Sequence, residues 1–148
     1  MPQSPMDIAL AEAEAAAARG EVPVGAVVVD SEGRILGRAG NATRALHDPT
    51  AHAEILALRA AAVQVGRERL TDCDLYVTLE PCAMCAGAIS HARIRRLYFG
   101  ADDPKGGGVL HGAQVFSHPT CHHRPEIYPG IGDSRASALL KDFFRERR

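Results

Sequence analysis

The sequence predicts a three-layer α/β domain, because short apolar runs alternate with longer runs rich in alanine and leucine. The short runs have the length and composition of buried strands, and the long runs have the composition of helices. This alternation is typical of a sheet that is covered by helices. The chain has 148 residues and is 46% hydrophobic, so we expect a single domain over residues 1–148 with its own core.

The individual elements follow from the apolar runs and from residues that begin or end helices. Ser4 is a suitable N-cap for the first helix, with Pro5 at its first position, and Asp48 or Thr50 could cap the second helix. The turn at 31–33 predicts a hairpin between the first two strands. The expected strands are 24–30, 34–39, 75–79, 96–100 and 125–129, and the expected helices are 5–19, 51–65, 81–91 and 134–147.

Composition and charge exclude some classes of protein and leave others open. The net charge of −1 gives no general attraction to nucleic acid, and no apolar run is long enough to span a membrane. The N-terminus does not resemble a signal peptide, so we expect a cytoplasmic protein whose four cysteines are reduced. Basic segments at 93–96 and 145–148 are either solvated surface or contacts to nucleic acid.

Four side chains in two short motifs could form a catalytic zinc site. Cys82 and Cys85 are three residues apart at the start of an expected helix, where both side chains share one face and the dipole favours thiolate. With His52 they would leave the fourth tetrahedral position of zinc for a water, which becomes a nucleophile at neutral pH. Glu54 can reach the same site only at the tip of a helix, where it could carry a proton.

Each motif alone also has an ordinary structural interpretation. A lone Cys-x-x-Cys can be a redox pair or a core pair, and an acidic residue in a first helical turn often complements the dipole. In combination, His-x-Glu followed by Pro-Cys-x-x-Cys is the signature of zinc-dependent nucleobase deaminases. We therefore interpret His52, Cys82 and Cys85 as zinc ligands. Glu54 is then the catalytic proton carrier, and Cys73 is a core or turn residue.

The motifs and the residues around them resemble the bacterial tRNA-specific adenosine deaminases over nearly the whole chain. The matching stretches are 21–27, 48–54, 78–89, 99–103 and 142–145. The resemblance implies a cytidine-deaminase-like fold with a central five-stranded mixed sheet, a homodimer, and one Zn²⁺ per subunit. It also implies hydrolytic deamination of the wobble adenosine in a tRNA anticodon loop to inosine, a form of RNA editing in tRNA processing.

The same resemblance implies which further residues contact the RNA. Asn41 would hydrogen-bond the target base, and Asp103 and Lys105 would contact the flipped-out nucleotide and its neighbours. The substrate-binding residues that it implies are Asn41, Ala53, Asp103, Lys105, His122 and Phe144. The chain departs from the family at His122, where many relatives carry Asn, and at the glycines of 106–108, which we interpret as a flexible loop.

Other functions fit parts of the sequence. A free-base or nucleoside deaminase acting on guanine or cytosine would share the metal site and differ in the loops. A zinc-stabilised binding module without catalysis would have four protein ligands and no role for Glu54. The histidines and Cys121 between 111 and 123 raise the alternative of a second metal site, although a polar RNA-facing or packing loop is the favoured interpretation.

Overall fold

The computed structural model describes residues 3–146 and contains a mixed sheet between two pairs of helices. The strands are β1 (Gly25–Val29), β2 (Ile35–Gly40), β3 (Asp74–Leu79), β4 (Arg96–Ala101) and β5 (Glu126–Tyr128). The helices are α1 (Pro5–Ala18), α2 (Ala53–Val65), α3 (Ala83–Ala92) and α4 (Asp133–Glu146), with a short 3₁₀ helix at Val115–Ser117. The strand order is β2-β1-β3-β4-β5, which confirms the predicted five-stranded α/β/α fold.

The direction of the strands determines where chain segments meet. Strand β1 runs antiparallel to β2, as the hairpin prediction required, and also antiparallel to β3. Strands β3, β4 and β5 are parallel to one another. The carboxyl ends of β3 and β4 therefore lie at the same edge of the sheet, and the segments that leave these strands meet there.

The starts of α2 and α3 each lie two residues later than expected, and both belong to the zinc motifs. Helix α2 begins at Ala53 with His52 as its N-cap, so the expectation that Asp48 or Thr50 caps it is wrong. The Asp48 carboxylate instead accepts hydrogen bonds from the backbone N–H and the hydroxyl of Thr50, at 2.9 and 2.7 Å. Helix α3 begins at Ala83 rather than at Pro81. The Ser4 cap of α1 is confirmed, with a capping box to Asp7.

The core is divided by the sheet into two layers. Helices α2 and α3 pack on one face, and the side chains buried there include Leu58, Leu75, Ile89, Leu97 and Phe99. Helix α1 and α4 cover the other face, where Leu10, Val27, Val29 and Ala136 are buried. Cys73 is fully buried in the first layer, as expected of a core residue. No helix in residues 3–146 is long and apolar enough to cross a membrane.

Glycines in β1 and β2 let the alanine-rich helices approach the sheet closely. A Cβ at Gly25 would lie 1.9 Å from the carbonyl oxygen of Ala9 in α1. A Cβ at Gly37 would lie 2.4 Å from the carbonyl oxygen of Ala57 in α2. Because non-bonded carbon and oxygen atoms cannot approach so closely, any side chain at these positions would force helix and sheet apart.

The arginines of the basic segment at 93–96 bind other residues of the same chain. Arg95 forms a two-point ion pair with Asp74, with both N–O distances 3.0 Å, and Arg96 lies 3.4 Å from Glu126. The Arg93 guanidinium donates to the carbonyl of Ser90 at 3.1 Å. These contacts favour the structural interpretation of this segment over a nucleic-acid contact. The second basic segment extends to 147 and 148, which lie outside the described residues.

Gly25→Ala should lower the free energy of unfolding by about 3 kcal/mol, because the added methyl overlaps the α1 backbone. Urea unfolding followed by circular dichroism measures this change. Gly87→Ala in α3 is the matched control, since its Cβ would meet no atom within 4 Å. The control should be neutral or stabilised by roughly 0.5–1 kcal/mol through helix propensity. Equal stability of Gly25→Ala and the unchanged protein would contradict the packing described here.

Candidate metal centre and pocket

The N-termini of α2 and α3 present the four motif side chains at the carboxyl edge of the sheet. His52 and Cys82 are the N-cap residues of these helices, and neither side chain caps its own helix. Both residues have extended backbone, with φ of −72° in each case. Because their side chains are not used for capping, they are free to point at each other across the gap between the helices.

The distances among the three expected ligands fit a zinc ion. The Nδ1 atom of His52 lies 3.6 Å from the Sγ of Cys82 and 3.5 Å from the Sγ of Cys85. Tetrahedral zinc with its usual bonds to sulfur and nitrogen separates such atoms by about 3.6 Å. Among residues 3–146, these form the only set of three or more His, Cys, Asp or Glu side chains close enough to share a metal ion. Three protein ligands are typical of a catalytic rather than a structural zinc site.

The thiols of the pair differ in their affinity for protons. A hydrogen bond from Cys85 lowers the pKa of Cys82 to about 5, and nearby backbone N–H groups of α3 act in the same direction. The same hydrogen bond, together with burial, raises the pKa of Cys85. Thiolate is the form that binds metal, and the helix N-terminus stabilises it at Cys82. The donor set is therefore suited to Zn²⁺, which is the cofactor of this centre.

Glu54 lies beside the ligands and is not one of them. Its side chain is buried, with 4% of the residue exposed, in the first turn of α2. Burial raises the pKa of the Glu54 carboxyl to about 7, and its own backbone N–H opposes this increase only in part. A carboxyl with a pKa near the working pH can both accept and donate a proton, as a proton carrier must.

A cavity of about 340 Å³ opens in front of these residues. Its lining includes His52, Glu54 and Cys82 on the helix side, Asn41 on one wall and Asp103 on another. Val22, Val24 and Leu79 contribute apolar surface. The volume lies within the range of small-molecule sites and is suited to one planar base.

The side chain of Asn41 is oriented by the start of α2. The Ala53 backbone N–H donates to the Oδ1 of Asn41 at 2.8 Å, and Arg19 donates to the Asn41 carbonyl at 3.3 Å. With Oδ1 engaged, the amide N–H₂ of Asn41 is the group left for the cavity. Ala53 is an expected substrate-binding residue, and its backbone N–H is already engaged by Asn41.

Besides the fully buried Ala53, three of the expected RNA-contacting residues lie outside this cavity. Lys105 is exposed, and its backbone N–H donates to the Asp103 carboxylate at 3.2 Å. His122 lines a different cavity, beside α3, with its ring 6.0 Å from that of His91. Phe144 is 51% exposed on α4, where its ring packs edge-to-face on Phe143. These side chains can contact only parts of a substrate that extend beyond the base.

The histidines and Cys121 of the 109–124 segment hold the loop in place individually. His123 donates from Nε2 to the carbonyl of Ile94 at 2.7 Å, and its backbone N–H donates to Ser90 at 3.1 Å. The thiol of Cys121 hydrogen-bonds the carbonyl of His123 at 3.2 Å and lies 3.4 Å from the Ser90 hydroxyl. His118 contacts the carbonyl of Ala113 at 2.6 Å. This pattern supports a packing loop rather than a second metal site.

Two buried carboxylates near the cavity were not anticipated from the sequence. Glu21 accepts backbone N–H bonds from Arg44 and Ala45, at 3.2 and 2.8 Å. Glu80 accepts hydrogen bonds from the segment 103–111, which forms another wall. Burial alone would raise the pKa of Glu80, but the hydrogen bonds from Asp103 and His111 outweigh it and lower that pKa. For Glu80, the sequence signal was an acidic residue directly between a buried strand and Pro81-Cys82.

Gly107 and Gly108 are needed for close packing, which corrects the interpretation of 106–108 as a flexible loop. Gly107 and Gly108 are buried. The Gly108 N–H donates to the Pro81 carbonyl at 2.8 Å, and a Cβ at Gly108 would lie 2.6 Å from the backbone nitrogen of Ala83. Glycine is needed here because the wall segment lies directly against the start of α3.

Comparison with known proteins agrees with this site. Residues 2–101 match the family model described as the cytidine and deoxycytidylate deaminase zinc-binding region. A protein of Agrobacterium fabrum named tRNA-specific adenosine deaminase is 58% identical over 143 residues, covering 97% of this chain and 93% of the relative. A relative of the same name from Aquifex aeolicus is 45% identical, covering 97% of this chain and 93% of its own.

Comparison with solved structures also finds deaminases with this fold. A structure from studies of A-to-I editing by tRNA deaminases at the wobble position of transfer RNA has a TM-score of 0.90 and 57% identity. It covers 92% of this chain and 98% of its own. A guanine deaminase from Bacillus subtilis is more distant, with a TM-score of 0.66, 28% identity, and coverage of 96% and 92%.

Fold, ligand set and family match together define a zinc-dependent deaminase of the cytidine-deaminase-like class. Within that class, the identity to curated relatives over nearly the whole length shows that the chain belongs to the tRNA-specific adenosine deaminase family.

His52→Ala and Cys85→Ala should each reduce bound zinc from one equivalent to near zero, because each removes one of three protein ligands. Glu54→Ala should keep its zinc, since Glu54 is not a ligand. Inductively coupled plasma mass spectrometry after dialysis measures the zinc content. Cys121→Ala is the matched control for loss of a thiol away from the centre and should retain full zinc. Full zinc in His52→Ala would remove His52 from the ligand set.

Proposed function

We propose that this chain hydrolyses the wobble adenosine of a tRNA anticodon loop to inosine and ammonia. The observation that carries the proposal is the placement of Glu54 beside the His52, Cys82 and Cys85 group in a base-sized cavity. The relatives named above, which act on tRNA adenosine by name, support the choice of substrate. A tRNA substrate also supports the expectation of a cytoplasmic protein.

Different residues of the chain carry out different parts of the reaction. When bound, zinc lowers the pKa of a water toward about 7, which supplies a nucleophile at neutral pH. Glu54 would accept one proton from the attacking water as the water oxygen bonds to C6 of adenine, and would pass it to N1. It would then take the second proton from the hydroxyl added at C6 and pass it to the amine, so that the C6–N bond breaks, ammonia leaves and hypoxanthine remains as the base. Asn41 donates from its side-chain amide to the base, which orients the ring.

Access to the cavity requires the adenosine to leave its stack. The cavity accommodates a base but not a duplex, so the nucleotide must turn out of the loop before it reaches Glu54. Asp103 lines the cavity and Lys105 is exposed two residues further along the chain, where the flanking nucleotides would pass in this proposal. His122 and Phe144 contact more distant parts of the anticodon stem-loop in this proposal, with exposed rings that are suited to stacking on bases.

The wild-type protein should form inosine in an anticodon stem-loop RNA that carries adenosine at the wobble position. Glu54→Ala should lower kcat by at least about 10²-fold, the usual contribution of a positioned proton carrier. Liquid chromatography of nuclease-digested RNA measures the inosine.

The same stem-loop with adenosine moved to a neighbouring position is the control and should remain unmodified. Ammonia release from free guanine or cytosine, without inosine in the stem-loop, would favour the free-base deaminase instead. Zinc bound without any turnover would favour a binding module.

We also infer that residues 1–148 form one catalytic domain that pairs with a second copy of itself, with one zinc per subunit. Support for pairing comes from a groove of about 580 Å³ between α2 and α3. Ile55, Leu58, Ala62, Ala88 and Ala92 line its apolar floor. Arginines and Glu68 stand at its rim, so that charges of opposite sign can meet across a two-fold axis.

Ala88→Arg should convert a dimer into a monomer, because it places a charge in the apolar floor of the α2–α3 groove. Sedimentation velocity at micromolar protein measures the mass. Val63→Arg is the matched control, since Val63 is also on this side of the fold but is 83% exposed and outside the groove. A wild-type protein that sediments as a monomer would contradict the pairing.

A further inference from the structure

Glu80 is a buried carboxylate for which the reaction above has no use. It follows directly after β3 and precedes Pro81 and the metal ligand Cys82. Its side chain has no exposed surface. A fully buried carboxylate is stable only when hydrogen bonds or charges replace the water that it has lost. The groups that do this at Glu80 therefore indicate its role.

Five donors from a single chain segment surround the Glu80 carboxylate. Oε1 accepts from the Asp103 backbone N–H at 2.9 Å and from the His111 ring at 2.8 Å. Oε2 accepts from three successive backbone N–H groups, those of Val109, Leu110 and His111, at 3.1, 2.9 and 3.1 Å. Successive N–H groups that converge in this way form a nest for an anion. Here the bound anion is the side-chain carboxylate of Glu80 in the same chain.

The segment 102–111 that these bonds hold is a wall of the base-sized cavity. Asp103 and Gly106 line the cavity, as does Asn41. The Asp103 carboxylate in turn accepts the backbone N–H of Gly106 at 2.9 Å, which fixes the turn. A Cβ at Gly107 would lie 2.5 Å from the Cδ and Oε2 of Glu80, so the wall rests directly on the carboxylate.

We propose that Glu80 is the positioning residue that holds the 102–111 wall in the shape that receives the nucleotides around the target base. The inference rests on the proposed tRNA function, because it assigns this wall to the flanking nucleotides. Glu80 is also among the residues that line the cavity, but its carboxylate has no exposed surface and is enclosed by donors of this wall. It acts through Asp103 and the turn at 103–106.

The carboxylate cannot be replaced by its closest relatives without loss. In Glu80→Gln one end of the side chain becomes N–H₂, and both ends face N–H donors. Either orientation of the amide therefore places donors against donors. In Glu80→Asp the charge remains, but the side chain is one methylene shorter and cannot span from Asp103 to the three N–H groups of 109–111.

The kinetic test separates binding from chemistry. Glu80→Gln should raise KM for the anticodon stem-loop about tenfold or more, while kcat stays within about threefold of wild type. Zinc should remain at one equivalent, because the ligands are held by α2 and α3. Hydrogen–deuterium exchange should accelerate at the backbone N–H groups of 103 and 109–111. Wild-type KM together with wild-type exchange at these positions would overturn the proposal.

Asp74→Asn is the matched control for loss of a buried carboxylate. Asp74 lies at the opposite end of the same strand, and both its oxygens accept from Arg95 at 3.0 Å. This variant should unfold more easily but keep the wild-type KM and the wild-type exchange at 109–111. A KM increase equal to that of Glu80→Gln would mean that general destabilisation, not positioning, causes the effect.

Gly107→Ala tests the same contact with the carboxylate still present. The added methyl would displace the wall from Glu80, so KM should rise as it does in Glu80→Gln. This variant decides the question if Glu80→Gln does not fold, and an unchanged KM here would count against the proposal. Absence of inosine with the wild-type protein would remove the proposed function, whereas the exchange measurement would still decide whether Glu80 holds the wall.

Discussion

The site depends on one constraint, which is that two helices begin at the same edge of the sheet with metal-binding residues at their N-caps. A residue at this position has extended backbone, so its side chain projects beyond the end of the helix. His52 and Cys82 both use this projection to meet in the gap. The helix N-termini also supply positive potential, which stabilises thiolate where zinc needs it. Gly37 in β2 lets α2 lie close against the sheet, because a Cβ there would overlap the α2 backbone.

Two buried carboxylates, Glu54 and Glu80, line the cavity and a third, Glu21, precedes the lining residue Val22, and their environments give them different chemical states. Glu54 lies among groups that offer it few donors, so burial dominates and raises its pKa to about 7. Glu80 and Glu21 accept several backbone N–H groups each, which lower their pKa values in spite of burial. The number of donors therefore decides which carboxylate can exchange a proton near neutral pH and which carboxylates stay charged.

The sequence was sufficient to predict the features of the fold and site that depend on local patterns of residues. Alternating apolar runs predicted five strands and four helices, and motif spacing identified His52, Cys82 and Cys85, because ligand chemistry allows few residue types at few spacings. The N-cap of α2 was placed too early because Asp48 is a good capping residue by type, yet in the fold its carboxylate closes a local turn with Thr50.

Contacts between distant segments could not be predicted in this way. Glu80 meets residues 23 to 31 positions away, and nothing local marks which N–H groups a buried carboxylate will accept. The glycines at 106–108 were interpreted as flexible because composition shows only conformational freedom. In the structure, a side chain at Gly107 would overlap Glu80, and a side chain at Gly108 would overlap the start of α3.

The orientation of Asn41 has a consequence for how this pocket can change during evolution. The donor that holds the Asn41 oxygen is a main-chain N–H, at Ala53, rather than a side chain. Any small residue other than proline at position 53 would supply the same N–H, so the polarity that Asn41 offers to a base is robust to mutation there. A change in base preference that acts through the Asn41 contact therefore requires a substitution at position 41 itself.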